Sequence, residues 1–388
     1  MRALIHVHHL LGTGHAVRAA ALGRALVAAG VEVVLVAGNR LPPTLDTSGL
    51  TVAELPPVHA ADASFRTLLQ ESGAPIDDGW RQERRHQLLA LLTEVAPDII
   101  LTETFPFGRR MLAFELEPML QAARDRASRP LIAASVRDIL VRKEDAAKEQ
   151  AMAETARRLF DLVLVHADPR LVRLSDSFPF EAEIADLVCY TGFVHEPSGL
   201  LPPAGDGEDE VVVSCGGGPV GAELLRAALA ARPLSKLAGG ACWRLLVGRT
   251  HDAATLAALA ALAAQAGDGV VVEPARPDFP GLLKRARLSV SQAGYNTVLD
   301  ILAARVPAVL VPFAEGSETE QRQRAASLAS RGVAEVVDPE ALTPESLAAA
   351  CDRCLTRPPA GLEADLAGAT RSAAILIDAA QRRGRDEP

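Results

Sequence analysis

Short apolar, often β-branched runs alternate with longer stretches of helical period along nearly the whole chain. Runs at 3–8, 31–37, 98–101 and 131–134 predict strands in the first half. Those at 210–214, 242–247, 270–272, 288–290, 308–311 and 333–337 predict strands in the second. Between them, 15–29, 88–95, a segment ending at 127, 342–355 and 362–381 carry apolar residues at helical spacing. Such alternation predicts parallel sheets covered by helices, whose ligands gather beyond the carboxyl ends of the strands. The expected class is therefore α/β, with two doubly wound halves. The stretch HEPSGLLPPAGDGEDE at 195–210 is rich in Pro, Gly and acid and reads as the junction. That places an N-terminal domain at 1–195, a linker at 196–209, a C-terminal domain at 210–360 and a terminal helical segment at 361–388. Segment 40–57 reads as loop, and 71–87 as polar and lid-like.

The densest stretch runs from 287 to 326 and reads strand, tight loop, helix, strand, loop, helix. Gln292-Ala293-Gly294 ends the first strand with a residue that tolerates positive φ and leaves room for a ligand against the backbone. The following helix N-terminus favours anionic groups. Asn296 and Asp300, four apart, share one helix face, and Asp300 offers a carboxylate to ribose hydroxyls. Glu320 and Gln321 open the next helix. The alternative is that Asp300 only solvates its helix and Glu320 only complements a helix dipole.

Two more glycine-rich turns lead from strand to helix. Gly12-Thr13-Gly14-His15 can cradle phosphate or sugar, but Val17 stands where a dinucleotide fingerprint needs its third glycine. Cys215-Gly216-Gly217-Gly218-Pro219-Val220-Gly221 does match that fingerprint. The next strand, however, ends in Gly248-Arg249 instead of the acid that would confirm it, which weighs against a nicotinamide dehydrogenase. In the first half, E-T-F-P-F-G-R at 103–109 and S-V-R-D-I-L at 135–140 fall at one sheet edge, the edge that binds ligands. Arg109 and Arg137 there either pair with Glu103 and Asp138 or recognise an acceptor.

The C-terminal stretch resembles the nucleotide-sugar half of the GT-B glycosyltransferases, closest to the peptidoglycan N-acetylglucosaminyltransferase type. Gly294, Asp300, Val311-Pro312-Phe313 and Glu320-Gln321 carry that likeness, with Asp300 one methylene shorter than the usual Glu. The motifs at 103–109, 135–140, 162–170 (LVLVHADPR) and 190–194 (YTGFV) resemble a bacterial subgroup of predicted glycosyltransferases, so the likeness spans nearly the whole chain. It implies a GT-B fold with two Rossmann-like domains facing a cleft and a terminal helix crossing back to the first domain. The implied activity is transfer of a sugar from a nucleotide diphosphate-sugar to an acceptor, with inversion.

The residues then expected on the nucleotide-sugar side are Gly216, Gly217, Gly218, Arg249, Gln292, Gly294, Asn296, Thr297, Asp300, Glu320 and Gln321. On the acceptor side they are Gly12, Thr13, Gly14, Arg18, Phe107, Arg109 and Arg137. His15, which the resemblance makes a candidate base, and Glu103 are the candidate catalytic pair. No cofactor and no metal are expected, since no Asp-x-Asp motif is evident. The rivals are a nucleotide-sugar 2-epimerase on the same fold and a non-catalytic partner protein.

Composition narrows the partners. The chain has 388 residues, a formal net charge of −9, 49% hydrophobic residues and 4% aromatic ones. Its core must be aliphatic, and an acidic chain without a basic run has no electrostatic footprint for nucleic acid. Five scattered cysteines do not make a secreted disulfide framework, and Cys351-Asp-Arg-Cys354 reads as structural. His6 and His8 share a strand face without acidic or thiol neighbours in sequence, so packing or surface histidines are favoured over metal ligands. No apolar run is long enough for a membrane helix and the N-terminus lacks a signal-peptide pattern, so a cytoplasmic location is expected.

Overall fold

The computed structural model describes all residues except 10–13, 44, 61–66, 144, 197–198, 217–220, 249–252, 314–318, 358–362 and 387–388. It divides into two units, Met1–Val194 with Ala367–Pro388, and His195–Leu366.

In the first unit, β1 (Arg2–Val7), α1 (Gly14–Ala28), β2 (Glu32–Ala37) and β3 (Thr51–Glu54) are followed by a small hairpin, β4 (Val58–Ala60) and β5 (Leu68–Gln70). Then come α2 (Asp78–Val95), β6 (Ile99–Glu103), α3 (Ala113–Arg124), β7 (Leu131–Arg137), α4 (Ala146–Leu159), β8 (Leu162–His166) and β9 (Val188–Tyr190). The main sheet is parallel, in the order β3-β2-β1-β6-β7-β8-β9. Both faces of the strands are apolar because helices cover both. Ala3, Ile5 and Val7 of β1 pack with Ala19, Leu22 and Leu26 of α1 and with Ala373 and Leu376 of the terminal helix Gly368–Asp386. Alanines on α1 let that helix approach closely. It stops in a Schellman motif, with Val31 N–H on the Leu26 carbonyl at 3.0 Å, Gly30 N–H on the Val27 carbonyl at 2.9 Å, and Gly30 at φ 84°.

Two local expectations change. Residues 78–87, read as lid-like, are the first half of α2, capped by the Asp77 carboxylate on Trp80 N–H at 2.7 Å. The helix looked polar because its buried stripe runs Arg84, Leu88, Leu92, Val95, with an arginine in the middle. Arg84 is fully buried and pairs with Glu115 of α3, Nε to Oε2 at 2.5 Å. Within 40–57, read as loop, 51–54 forms the edge strand β3.

The second unit contains β10 (Val211–Ser214), α5 (Ala222–Ala231), β11 (Trp243–Val247), α6 (Ala253–Gln265), β12 (Val270–Pro274), α7 (Phe279–Leu283), β13 (Leu288–Ser291), α8 (Tyr295–Ala304), β14 (Ala308–Leu310), α9 (Glu320–Ser330), β15 (Glu335–Val336) and α10 (Pro344–Thr356). Its parallel sheet runs β12-β11-β10-β13-β14-β15, the 3-2-1-4-5-6 order of a doubly wound nucleotide-binding sheet. Residues 202–209 of the stretch read as a linker pack onto this unit instead. Asp206 accepts from Arg244 at 3.0 Å and from Arg276 at 2.6 Å. Gly207, at φ 82°, lies so close to Leu282 that a Cβ would meet its carbonyl oxygen at 3.0 Å. Composition announced exposure, but two arginines neutralise the acid and hold the segment down. Cys351 and Cys354 are buried free thiols, and burial pushes Cys351 up to about 12, which makes it inert.

Candidate functional site

Strand order reverses direction between β1 and β6 in the first unit, and the loops leaving these two strands diverge there. His15 opens α1 after β1, and Glu103 ends β6. The imidazole Nδ1 lies 2.9 Å from Glu103 Oε1. Arg18, one turn along α1, grips the same carboxylate through Nη2 to Oε1 and through Nε to Oε2 at 3.3 Å. Thr104 Oγ1 donates to Oε1 at 3.0 Å, and Ser135 Oγ donates to Oε2 at 2.6 Å. Thr104 holds φ at 72°, a left-handed conformation that a β-branched residue adopts only under constraint.

These contacts determine where the protons sit. Burial pushes the Glu103 carboxyl up, but the Arg18 charge and the bonds from His15 and Ser135 outweigh it and hold it well below the usual range. An ionised carboxylate only accepts, so the proton between His15 and Glu103 belongs to Nδ1. Arg18 Nη2, 3.2 Å from Nδ1, is also a donor and therefore bonds the carboxylate, not the ring. Burial pulls the imidazole down to about 4 against the opposing bond and charge of Glu103. At neutral pH the ring is uncharged, and Nε2, with no hydrogen bond among the described residues, carries the lone pair. The pair can accept a proton from a hydroxyl or amine, and the carboxylate would stabilise the resulting imidazolium.

Other expected residues of this unit fall into place unevenly. Arg109 donates through Nε to the His8 carbonyl at 2.8 Å and adds positive potential near Glu103; burial lowers it to about 10. Arg137 ends β7, half-buried at the same edge. Gly14 begins α1. Phe107 does not face a ligand: it is buried edge-on against Phe178, ring centroids 5.3 Å apart. Gly12 and Thr13 lie outside the described residues. Ser135, Thr104 and His166 escaped sequence reading, because a lone Ser, Thr or His in or just after an apolar strand carries no spacing signal. His6 and His8 are buried, as packing predicts. Both His8 ring nitrogens lack a hydrogen-bond partner among the described residues.

In the second unit the reversal lies between β10 and β13, paired in register from Val211↔Leu288 to Ser214↔Ser291. Gly216, just past β10, has φ 75°, and no atom of the described residues lies within 4 Å of where a Cβ would sit. Gly221, at φ 96°, ends the loop so close to Gln292 that a Cβ would meet its amide nitrogen at 2.8 Å. Gln292 is buried, its N–H on the Ser214 carbonyl at 3.1 Å, so the two glycine-bearing loops touch. Gly294 caps α8 at φ −62°, so the positive φ that glycine tolerates is not used there. What its missing side chain supplies is room, since among the described residues a Cβ would approach only Thr297 Oγ1, at 3.9 Å. The first turn of α8 thus offers N–H groups with open approach. Asn296 is exposed and Thr297 half-buried on that turn.

The acids are more engaged than expected. Asp300 Oδ1 lies 3.0 Å from His195 Nε2, a partner missed because it is 105 positions away. Glu320 is buried and pairs with Arg324 at 2.7 Å, while Arg324 also donates to the Ala293 carbonyl at 2.8 Å and lies 5.6 Å from the Tyr295 ring centroid. Glu320 therefore holds the arginine that fastens the Gln292–Gly294 loop. Gln321 Oε1 accepts from Phe313 N–H at 3.0 Å, tying α9 to the end of the Val311-Pro312-Phe313 run. Gly217, Gly218 and Arg249 lie outside the described residues. Among the described residues no group of three or more His, Cys, Asp or Glu is placed to hold a metal ion. No helix among them is long and apolar enough to cross a membrane.

Residues 212–378 match the glycosyltransferase family 28 C-terminal domain. Over 111 residues the chain is 40% identical to the UDP-N-acetylglucosamine–N-acetylmuramyl-(pentapeptide) pyrophosphoryl-undecaprenol N-acetylglucosamine transferase of Phenylobacterium zucineum, covering 29% of this chain and 30% of that one. The enzyme of the same name from an Exiguobacterium species is 32% identical over 150 residues, 38% of this chain and 40% of the other. The chain thus matches well under half the length of these relatives. Among solved structures, the calicheamicin glycosyltransferase CalG4 aligns at TM-score 0.61 and 17% identity, over 100% of this chain and 96% of its own. Acinetobacter baumannii MurG aligns at 0.62 and 16%, over 98% and 100%. The fold is that of the GT-B glycosyltransferases, with two Rossmann-like units.

Proposed function

We propose that this chain, whose residues 212–378 match the glycosyltransferase family 28 C-terminal domain, moves a sugar from a uridine diphosphate-sugar to an acceptor hydroxyl or amine. The observation that carries the reading is the His15–Glu103 pair, with Nδ1–H committed to the carboxylate and Nε2 left to take a proton. As the acceptor oxygen or nitrogen bonds to the anomeric carbon, its proton passes to Nε2. The bond from that carbon to the diphosphate oxygen breaks, and the diphosphate leaves with the electron pair. Backbone N–H groups at the start of α8 and the loop opening at Gly216 suit that developing charge. Attack from the side opposite the leaving group inverts the anomeric centre. Asp300, paired with His195, is the acid proposed for the ribose hydroxyls.

The relatives' names supply the donor to try first, UDP-N-acetylglucosamine, and a lipid-linked acceptor class. The reading uses no metal and no cofactor beyond the donor, so chelation with EDTA should leave turnover unchanged. It also favours a transferase over a 2-epimerase, because one base at the acceptor-side unit suits activation of an incoming nucleophile. Thermal-shift measurement against UDP and a panel of nucleotide sugars identifies the donor. Product analysis of the same mixtures then decides. Release of UDP, by transfer or slow hydrolysis, supports the proposal. An altered nucleotide sugar without acceptor would replace it with the epimerase, and binding without turnover would leave a non-catalytic partner.

A further inference from the structure

We propose that Ser135 and His166 are positioning residues, which with Thr191 form a one-way chain of hydrogen-bond donors that steadies Glu103 and thereby aims it at His15. The inference rests on the reading of His15 as the base. Glu103, Ser135, His166 and Thr191 come from β6, β7, β8 and the end of β9, four neighbouring strands of the parallel sheet. Glu103 and Ser135 are register partners. All four side chains are buried. Each touches the next: Glu103 Oε2 to Ser135 Oγ at 2.6 Å, Ser135 Oγ to His166 Nε2 at 2.9 Å, and His166 Nδ1 to Thr191 Oγ1 at 2.8 Å.

The proton positions follow from the carboxylate outward. Glu103 is ionised and can only accept, so the Ser135 hydroxyl proton points to it. The serine oxygen then accepts from His166, which places a proton on Nε2. Burial keeps His166 neutral, lowering it to about 3, so its Nδ1 accepts and the Thr191 hydroxyl donates to it. Were Thr191 to donate to the Gly192 carbonyl or to the more distant Val165 carbonyl instead, two lone pairs would face each other at 2.8 Å. Every donor thus points toward Glu103, with His15 donating from the opposite side. The far end is anchored as well, because Arg371 of the terminal helix donates to the Thr191 carbonyl at 3.0 Å. No proton needs to move along the chain. Its effect is to hold one carboxylate oxygen so that the other keeps its direction, and hydrogen bonds in such a low-dielectric series strengthen one another.

The test is nitrogen-15 NMR of the histidine rings in the full-length protein at neutral pH, with turnover of UDP-N-acetylglucosamine measured alongside. In the unaltered chain His166 should be neutral with its proton on Nε2, and His15 should carry its proton on Nδ1. In Ser135→Ala and in His166→Ala, His15 should become a mixture of tautomers. Turnover should fall roughly ten- to hundredfold, while UDP affinity stays within about twofold. His166→Gln, which keeps an N–H near the Nε2 position, should restore both. A doubly protonated or Nδ1-protonated His166 would overturn the proposal, as would a His15 tautomer unmoved in both alanine variants. Should those variants fail to fold, the spectra of the unaltered chain decide. If that chain turns over no nucleotide sugar, the functional reading fails, while the tautomers still decide the donor chain.

Discussion

Glu103 is where the chemistry of the first unit converges, and its environment predicts what two substitutions should do. Glu103→Gln keeps the shape but replaces an acceptor with a group that can also donate, so His15 is free to adopt the wrong tautomer. Turnover should fall by roughly a hundredfold or more with little change in nucleotide affinity, and His15→Ala should fall at least as far. Steady-state rates combined with UDP calorimetry check this; near-normal turnover in folded His15→Ala would end the catalytic reading. In the second unit, Asp300→Ala should cost about 1.5–3 kcal/mol of nucleotide affinity if the carboxylate accepts from ribose. The same change unpairs His195, so calorimetry should include His195→Ala. Loss of affinity in the Asp300 variant alone locates the effect in the carboxylate, whereas unchanged affinity removes Asp300 from the site. Motif and position singled out His15, Glu103, Arg18 and Asp300 as candidates, and folding brings the first three together. Ser135, His166, His195 and Arg324 were not, since each matters through a partner brought close only by folding.

At the scale of elements, α2 shows how a buried charge can hide a helix. Its Arg84 bonds Glu115 through both Nε and Nη2 and also donates to the Gly38 carbonyl at 3.0 Å and to the Pro56 carbonyl. One guanidinium thus joins α2, α3 and the ends of β2 and β3. Burial raises the Glu115 carboxyl even with this partner, so the pair survives because its geometry is complete. Arg84→Ala should destabilise the protein by about 3–5 kcal/mol by leaving Glu115 buried and unpaired. Denaturant titration should show this, and removing Glu115 as well should recover much of the loss. Equal stability of the single and double variants would contradict the argument. Hydrophobic period located most strands and helices, but it cannot register an arginine that belongs to the core.

The whole molecule carries several buried imidazoles, and they set its response to acid. Burial lowers His15 to about 4 and His6 and His166 to about 3, and it pulls His8 well below its ordinary value. Each is neutral in the folded chain and, below the ordinary histidine value near 6.5, protonated in the unfolded one. Between those limits the unfolded state binds more protons, so stability rises with pH. The contribution is fully present above about 6.5 and is lost as pH falls toward the folded values. Each histidine should contribute about 1.4 kcal/mol per pH unit within that window. Melting temperatures from pH 8 to 4 should be flat above about 6.5 and fall steeply below it. A flat profile down to pH 5 would mean that these rings are hydrated or already charged.

The sequence by itself determined the alternation of strand and helix, hence two parallel sheets, and the glycines and acids that end particular strands. These are local properties: a period of two or of three to four, and residues that stop it. Only the tertiary structure decided which strand ends become neighbours. Reversal of strand order between β1 and β6 brings His15 to Glu103, 88 positions later, and the neighbouring strands bring Ser135 and His166 behind it. It also decided that 202–209, inside the stretch read as a linker, packs onto the second unit, while the terminal helix lies with the first unit as the resemblance implied. Pairing energies between distant residues depend on distance, burial and the direction of a proton, and none of these is a property of one stretch of chain.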